Sequence, residues 1–245
     1  MACHRGGDGP LVPADLGRDH LGFRLGRSPA GRRPALRAVP PRWDYASVLW
    51  KPLWDTVNMA TLGTLLAVIL GIPVAVLAAR NTTPSVLLIR PVALFVIVAS
   101  RSINSLIWAL VLVVIIGPGP LAGTLAIALR SIGFIGKLLH EAIEEIDPVQ
   151  VEAMEATGAA SAQVLAWGIA PQVAPAIAGI RVFRWDINIR EATVLGLVGA
   201  GGIGLQLEAS VATLAWPQVS VILLLILTTV VISDWVSARV RQAIT

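Results

Sequence analysis

Long uncharged apolar runs alternate along the chain with short polar or glycine- and proline-rich breaks. An α-helix needs roughly 20 such residues to cross a bilayer, and the pattern predicts five crossings. The first covers about 57–79 and carries Pro73, which a membrane helix tolerates because neighbouring groups can meet the freed backbone. A polar turn, RNTTPS at 80–85, separates it from a second run at about 86–117. That run is apolar apart from Arg90, Arg101 and Asn104, and a kink or break is expected around 100–105. The tight turn Gly117-Pro-Gly-Pro120 leads to a third run, about 121–139, holding Arg130 and Lys137. One long polar stretch, 140–168, follows; Pro171 and Pro175 then open a fourth run reaching about Val198. A glycine-rich turn at 199–204 and an amphipathic stretch ending at Trp216-Pro217 precede the fifth, about 219–236. The pattern predicts an all-α, polytopic membrane helix bundle of about five spans, without internal repeats.

Composition agrees. The 245 residues are 56% hydrophobic and 14% charged, against about 45–50% and about 25% for a soluble domain. A soluble fold, a disordered chain and a nucleic-acid module are excluded for most of the length. The single cysteine, Cys3, rules out an internal disulfide or a cysteine-based metal site. The net charge of +4 is misleading: residues 1–42 hold eight Arg and three Asp, whereas 43–245 hold eleven Lys/Arg against twelve Asp/Glu. The N-terminal stretch is rich in Gly, Pro and Arg, has no apolar core of a secretory signal, and is expected to be disordered. The chain thus divides into a basic tail at 1–45 and a transmembrane domain at 46–245. Trp43, Tyr45, Trp50 and Trp54 read as an aromatic belt at the membrane–water interface.

Positive charge orients the spans. Arg80 and Arg90 mark the loop after the first span as cytoplasmic. Alternation then puts 140–170 and the C-terminus, with Arg239 and Arg241, on the same side. The opposite loops, 117–120 and 199–217, contain no Lys or Arg. The tail contradicts this scheme by placing eight Arg outside. Either a further span is expected before it, or the tail is not the native start, as a mis-assigned start codon or frameshift would produce.

Gly199-Ala-Gly-Gly-Ile-Gly204 formally matches a dinucleotide-binding fingerprint after the strand-like 193–198. No ribose-binding acid lies ~20 residues on, so Gly199, Gly201, Gly202 and Gly204 are read as a turn needing positive φ or close helix approach. Only Lys51 and Lys137 are present and neither sits in a P-loop, so ATP-driven work would need another subunit. Ionisable residues inside spans cost roughly 2.5–3.5 kcal/mol or more. Arg101 and Asn104 lie three apart, on one face if the helix continues. The fourth span carries Arg181, Arg184, Asp186, Arg190 and Glu191; Asp186 and Arg190 can pair at i,i+4, while Arg184 shares a face with Asn188 and has no acid at i±3 or i±4. These charges are either structural pairs or the lining of a passage for an anion. For the second reading the candidates are Arg101, Asn104, Arg184 and Arg190.

The strongest motif is Glu152-Ala-Met-Glu-Ala-Thr-Gly158, followed after twelve residues by Pro171. It resembles the EAA loop of ABC-importer permeases, E-A-A-x-x-x-G-x(9)-I-x-L-P, with departures at Met154, Gly168 and Ala170. RSINSLIW at 101–108, GPGPL at 117–121, SIGFIGKLLHEAIEEIDP at 131–148 and FRWDINIREATVLGLVGAGGIG at 183–204 resemble the phosphonate-uptake branch. The resemblance covers about 53–241. It implies a type I ABC importer permease of the bacterial cytoplasmic (inner) membrane, itself not an enzyme, transporting phosphonate or a related oxyanion by alternating access. It further implies a second permease copy, two ATPase subunits supplying ATP and Mg chemistry, and a periplasmic or lipid-anchored binding protein. No cofactor, metal or nucleic acid is expected on this chain. Asp147, Pro148, Glu152, Ala153, Ala156 and Gly158 would form the helix that docks on the ATPase. Alternatives are a phosphate, phosphite or methionine permease, an ATP-independent channel or transporter, and a non-functional gene fragment.

Overall fold

The computed structural model describes residues 43–244; the expected disorder and non-native start of the tail lie outside the described residues. A 3-10 turn, Trp43–Tyr45, leads into α1 (Ala46–Ala78). There follow α2 (Ile89–Ser102), α3 (Ser105–Ile116), α4 (Pro120–Glu144) and the short α5 (Pro148–Ala156). A single turn, Ser161–Gln163, and a π-helical stretch, Val164–Ile169, run into α6 (Ala170–Leu195). The half-length α7 (Ile203–Ala212) and the long α8 (Trp216–Ile244) complete the fold. Helix α1, at 33 residues, is about 50 Å long and outruns a hydrocarbon core of ~30 Å. Its surplus first turns expose Trp50, Lys51 and Trp54 beside an exposed Trp43, where an aromatic belt belongs.

The second span is broken, as expected: α2 and α3 meet at 89°. It still crosses. The start of α2 lies beside the end of α4, where Arg90 pairs with Glu144 at 3.4 Å. The turn after α3 lies beside the start of α4, where Gly119 N–H donates to Gly199 C=O at 3.1 Å. Both halves therefore pack along α4, one on each half of its length. With α1, α4, α6 and α8 this makes five crossings. One end of the bundle gathers the 80–90 turn, α5 and Arg239 and Arg241, and is read here as cytoplasmic. Asn81 Nδ2 donates to Ile143 C=O at that end, at 2.7 Å.

Several boundaries differ from the sequence reading. The polar stretch 140–168 holds more helix than the short one expected there: α4 continues through buried His140 and Ile143 to Glu144, and helix resumes at Ser161. The strand-like 193–198 is the helical end of α6 and a 3-10 turn, Gly196–Val198. Apolar β-branched residues do not distinguish a strand from a buried helix over so short a run.

Lipid is as apolar as leucine, so helices in it associate by close packing rather than by the hydrophobic effect. Helix α1 supplies a stripe at four-residue spacing, Gly63, Ala67, Gly71 and Ala75. Gly63 and Gly71 lie directly against Ile127 and Ile135 of α4. A second close approach ties the broken span to α4. The Ser100 hydroxyl donates to Leu129 C=O and accepts from Gly133 N–H at 2.9 Å. It thereby inserts into the i→i−4 ladder of α4. Only glycine allows this, because a Cβ at Gly133 would lie 2.6 Å from Ile97 C=O and 2.8 Å from Ser100 Oγ. Gly133→Ala should therefore destabilise by about 1–3 kcal/mol. Gly179→Ala, whose Cβ meets nothing within 4 Å, should be neutral or stabilise by up to about 1 kcal/mol. Thermal unfolding of the purified protein checks both; equal melting temperatures would refute the close-approach argument.

Candidate functional site

Half-way along α4 and α6 the fold assembles a polar cluster. On α6, residues 184, 188 and 191 are four and three apart and share one face, which meets α4. Arg184 is 3% exposed; its Nε donates to Ser131 Oγ at 3.0 Å and its Nη2 reaches Glu191 Oε1 at 3.3 Å. Ser131 donates to Asn188 Oδ1 at 3.1 Å, and Asn188 Nδ2 donates to Thr64 Oγ1 of α1 at 2.7 Å. Arg130 pairs with the same Glu191 Oε1. The Phe134 ring lies at the centre: the guanidinium carbons of Arg184, Arg101 and Arg130 sit 4.5, 5.0 and 5.4 Å from its centroid. Each such contact contributes about 0.5–2 kcal/mol. Three guanidiniums face one carboxylate, so the cluster carries two surplus positive charges.

The four sequence candidates for the passage are not one group. Arg101 and Arg184 meet over Phe134. Asn104 does not share a helical face with Arg101, because α2 ends at Ser102; it is the N-cap of α3, accepting from Leu106 N–H at 3.1 Å. Arg190 turns to another face, binding Asp186 on its own helix and Asp234 of α8 at 3.1 Å. Ser233 also donates to Asp186, at 2.9 Å. Six residues separate Arg184 from Arg190, which is about 120° around the helix, so they point apart. Even so, Asn104, Arg190, Arg130 and Glu191 line one cavity of about 370 Å³ beside the cluster. Sequence reasoning missed Arg130, Phe134 and Glu191 as members. The signal for Glu191 was its i+7 spacing from Arg184, two turns along the same face.

At the opposite end to α5, the glycine turn does what its composition predicts. Gly199, Gly201 and Gly202 have φ of 82°, 85° and 74°, values that favour glycine. Gly204 has no room for a side chain, since a Cβ would lie 2.1 Å from Thr193 C=O. Ile203 N–H donates to Thr56 Oγ1 at 2.8 Å, which fastens the turn to α1.

Helix α5 is built to be displayed. Asp147 caps it, accepting from Val149 N–H at 3.0 Å, with Pro148 in the first turn. Gly158, at φ 77°, ends it and donates to Glu155 C=O at 2.9 Å. No residue of α5 is buried, and Glu152, Ala153 and Ala156 face outward. Gln172 accepts from Asp147 N–H at 3.1 Å and donates to Gly168 C=O at 2.9 Å, which ties α5 to the root of α6. The inward side is Val151 and Met154, which lie against Gly168. Two departures from the EAA pattern thus face each other: a side chain at 168 would begin 3.6 Å from Met154 Cγ and grow towards it.

Five crossings around a charged centre, with a capped short helix displayed at one end, define a transmembrane permease subunit of the type I ABC importer fold. The chain belongs to the binding-protein-dependent transport system inner membrane component family, whose description matches residues 55–245, and it is a multi-pass inner-membrane protein. It is 42% identical over 205 residues to the phosphite transport system permease protein PtxC of Stutzerimonas stutzeri, covering 84% of this chain and 74% of that protein. It is 38% identical over 208 residues to the phosphate-import permease protein PhnE of Mycolicibacterium smegmatis, covering 83% of this chain and 39% of that protein. Among solved structures, an inward-facing MetNI methionine ABC transporter chain aligns with a TM-score of 0.70 at 22% identity, covering 82% of this chain and 98% of that one.

The facing pair, Met154 and Gly168, gives a test of α5 docking. Gly168→Ile alone should overpack and cost about 1–3 kcal/mol. Met154→Ala alone should leave a void costing about 1 kcal/mol, less than a full core truncation because Met154 is half-buried. The double variant should cost clearly less than the sum. Thermal unfolding of all four proteins measures this, and strict additivity would remove the pairing.

Proposed function

We propose that this chain forms the translocation pathway of an ATP-driven importer for phosphonate or a related phosphorus oxyanion, phosphite and phosphate included. The observation that carries the reading is the Arg101–Arg130–Arg184 group around Phe134, with its two surplus positive charges at mid-span. Fixed guanidiniums in a water-poor site favour an oxyanion strongly. A zwitterion such as methionine gains far less from them. The names of the relatives, which concern phosphite and phosphate, point the same way.

Two copies of the chain form the passage in this reading, surrounded by membrane lipid. A periplasmic or lipid-anchored binding protein delivers the anion on the glycine-turn side. Two ATPase subunits, which hold ATP and Mg, dock on α5 through Glu152, Ala153 and Ala156. ATP binding draws the two α5 helices together and opens the passage outward; hydrolysis resets it. Asp147, Pro148 and Gly158 keep α5 a rigid, sharply ended unit, so that it transmits the movement. A channel or secondary transporter would have no use for a helix displayed in this way.

The test reconstitutes the chain with its ATPase and binding protein in vesicles. Phosphite, phosphate, methylphosphonate or methionine is offered, and uptake and ATP hydrolysis are measured. Oxyanion-stimulated hydrolysis is expected; uptake without ATP, or of methionine alone, overturns the reading. Gly158→Asp, with a side chain at positive φ on the displayed surface, should cut stimulation at least tenfold while leaving the fold intact. Arg184→Gln should abolish uptake; uptake at the unaltered rate would remove Arg184 from the pathway.

A further inference from the structure

We propose that Glu191 is a resident surrogate for the transported anion. Between passages its carboxylate occupies the donors of Arg130 and Arg184 that a tetrahedral oxyanion takes as it crosses. The inference rests on the pathway reading above and assigns a role to a residue that reading leaves without one.

The hydrogen bonding is the first argument. Both guanidiniums converge on one oxygen, Glu191 Oε1. Glu191 Oε2 and Arg130 Nε are buried without any hydrogen-bond partner. The two-oxygen fork, which is the strong geometry for guanidinium and carboxylate, is not made by either arginine with Glu191. An idle buried group has lost its water without gaining a partner. Each guanidinium offers five N–H donors, and a carboxylate is too small an acceptor for three of them. A phosphorus oxyanion brings three or four oxygens in a tetrahedron and can bridge donors that Glu191 leaves unused.

Charge and space agree. With Glu191 counted, the cluster retains the surplus of two that a dianion would neutralise. The adjoining cavity of about 370 Å³ lies within the range of small-molecule sites, about 300–1,000 Å³. Its walls combine Asn104, Ser105, Arg130 and Glu191 with apolar Ile187 and Val194. They would receive the oxygens on one side and a small hydrogen or alkyl substituent on the other.

A permeation site must also release what it binds. Buried Arg184 and half-buried Arg130, with Arg101 beside them, would hold a dianion too long. A carboxylate tethered beside them competes for the same donors, and its return expels the anion. Glu191 therefore lowers affinity at this point and raises turnover.

The test uses the assembled complex of this chain with its ATPase subunits, and radiolabelled inorganic phosphate and phosphite as probes. Glu191→Gln should bind at least one probe tenfold or more tighter than the unaltered complex, while uptake turnover in vesicles falls. Glu191→Asp keeps the charge but withdraws it by one methylene. It should tighten binding by a smaller factor, and it carries the test if the glutamine variant does not assemble. Unchanged or weaker binding in an assembled Glu191 variant overturns the proposal. Arg130→Gln and Arg184→Gln separate the two readings. If uptake survives both, the pathway itself is elsewhere. If uptake is lost in both while the Glu191 variants bind as before, only the surrogate falls.

Discussion

The desolvation of arginine at the middle of the bundle is the constraint on which the rest of the structure depends. A guanidinium there has no water to bind, and its cost of roughly 2.5–3.5 kcal/mol or more must be offset by protein groups. Arg184 meets that demand with Ser131, Glu191 and the Phe134 face. Those partners come from α4 as well as α6, and Asn188 extends the chain of bonds to Thr64 of α1. Three spans are thereby held in one register at mid-depth. A different rotation of α6 would leave Arg184 or Glu191 facing lipid.

The close packing around this centre follows from the same absence of water. Glycine and alanine on α1 bring its backbone against α4, so Thr64 and Ser131 both come within reach of Asn188. The break between α2 and α3 would otherwise leave backbone groups unmet. Asn104 meets one of them by capping α3, while Ser100, in the last turn of α2, fastens that helix to the α4 ladder. The broken span is thus an ordered element, and the last turn of α2 before the break carries Arg101 to the Phe134 ring.

Much of this architecture was legible in the residues. The apolar runs located five crossings, because length and hydropathy alone decide whether a helix can span. The glycine turn and the short displayed helix were legible because positive φ, Asp at an N-cap and Gly at a helix end are local requirements. The cluster was only half legible. Arg184 is legible as costly, but its acid is not at i±3 or i±4: Glu191 lies two turns away. Arg190 was grouped with Arg184 by proximity in sequence, although helical rotation sends it to Asp186 and Asp234. Arg130 and Phe134 lie on another helix, and no periodicity within one segment reports a contact between two. Residues 140–144 read as part of the polar stretch because their charges mark the membrane edge rather than the end of a helix, and 161–168, which carry no charge, fell in it only by lying before Pro171.

The connection between the displayed helix and the charged centre runs through two elements. Helix α5 follows α4 after a short turn, and the end of α4 is held by Arg90 through Glu144 and by Asn81 through Ile143. Gln172 joins the start of α5 to the root of α6. A displacement of α5 therefore acts on α4 and α6 together, and through Glu144 on α2. These helices carry Arg130, Arg184 with Glu191, and Arg101 respectively. The π-helical stretch Val164–Ile169 lies between α5 and α6, where a looser hydrogen-bond ladder accommodates a change of angle. Under the proposed reading, movement at the ATPase face changes the spacing of the three guanidiniums without altering any bond within a single helix. Affinity for the anion then varies between the two states because the distance between α4 and α6 does.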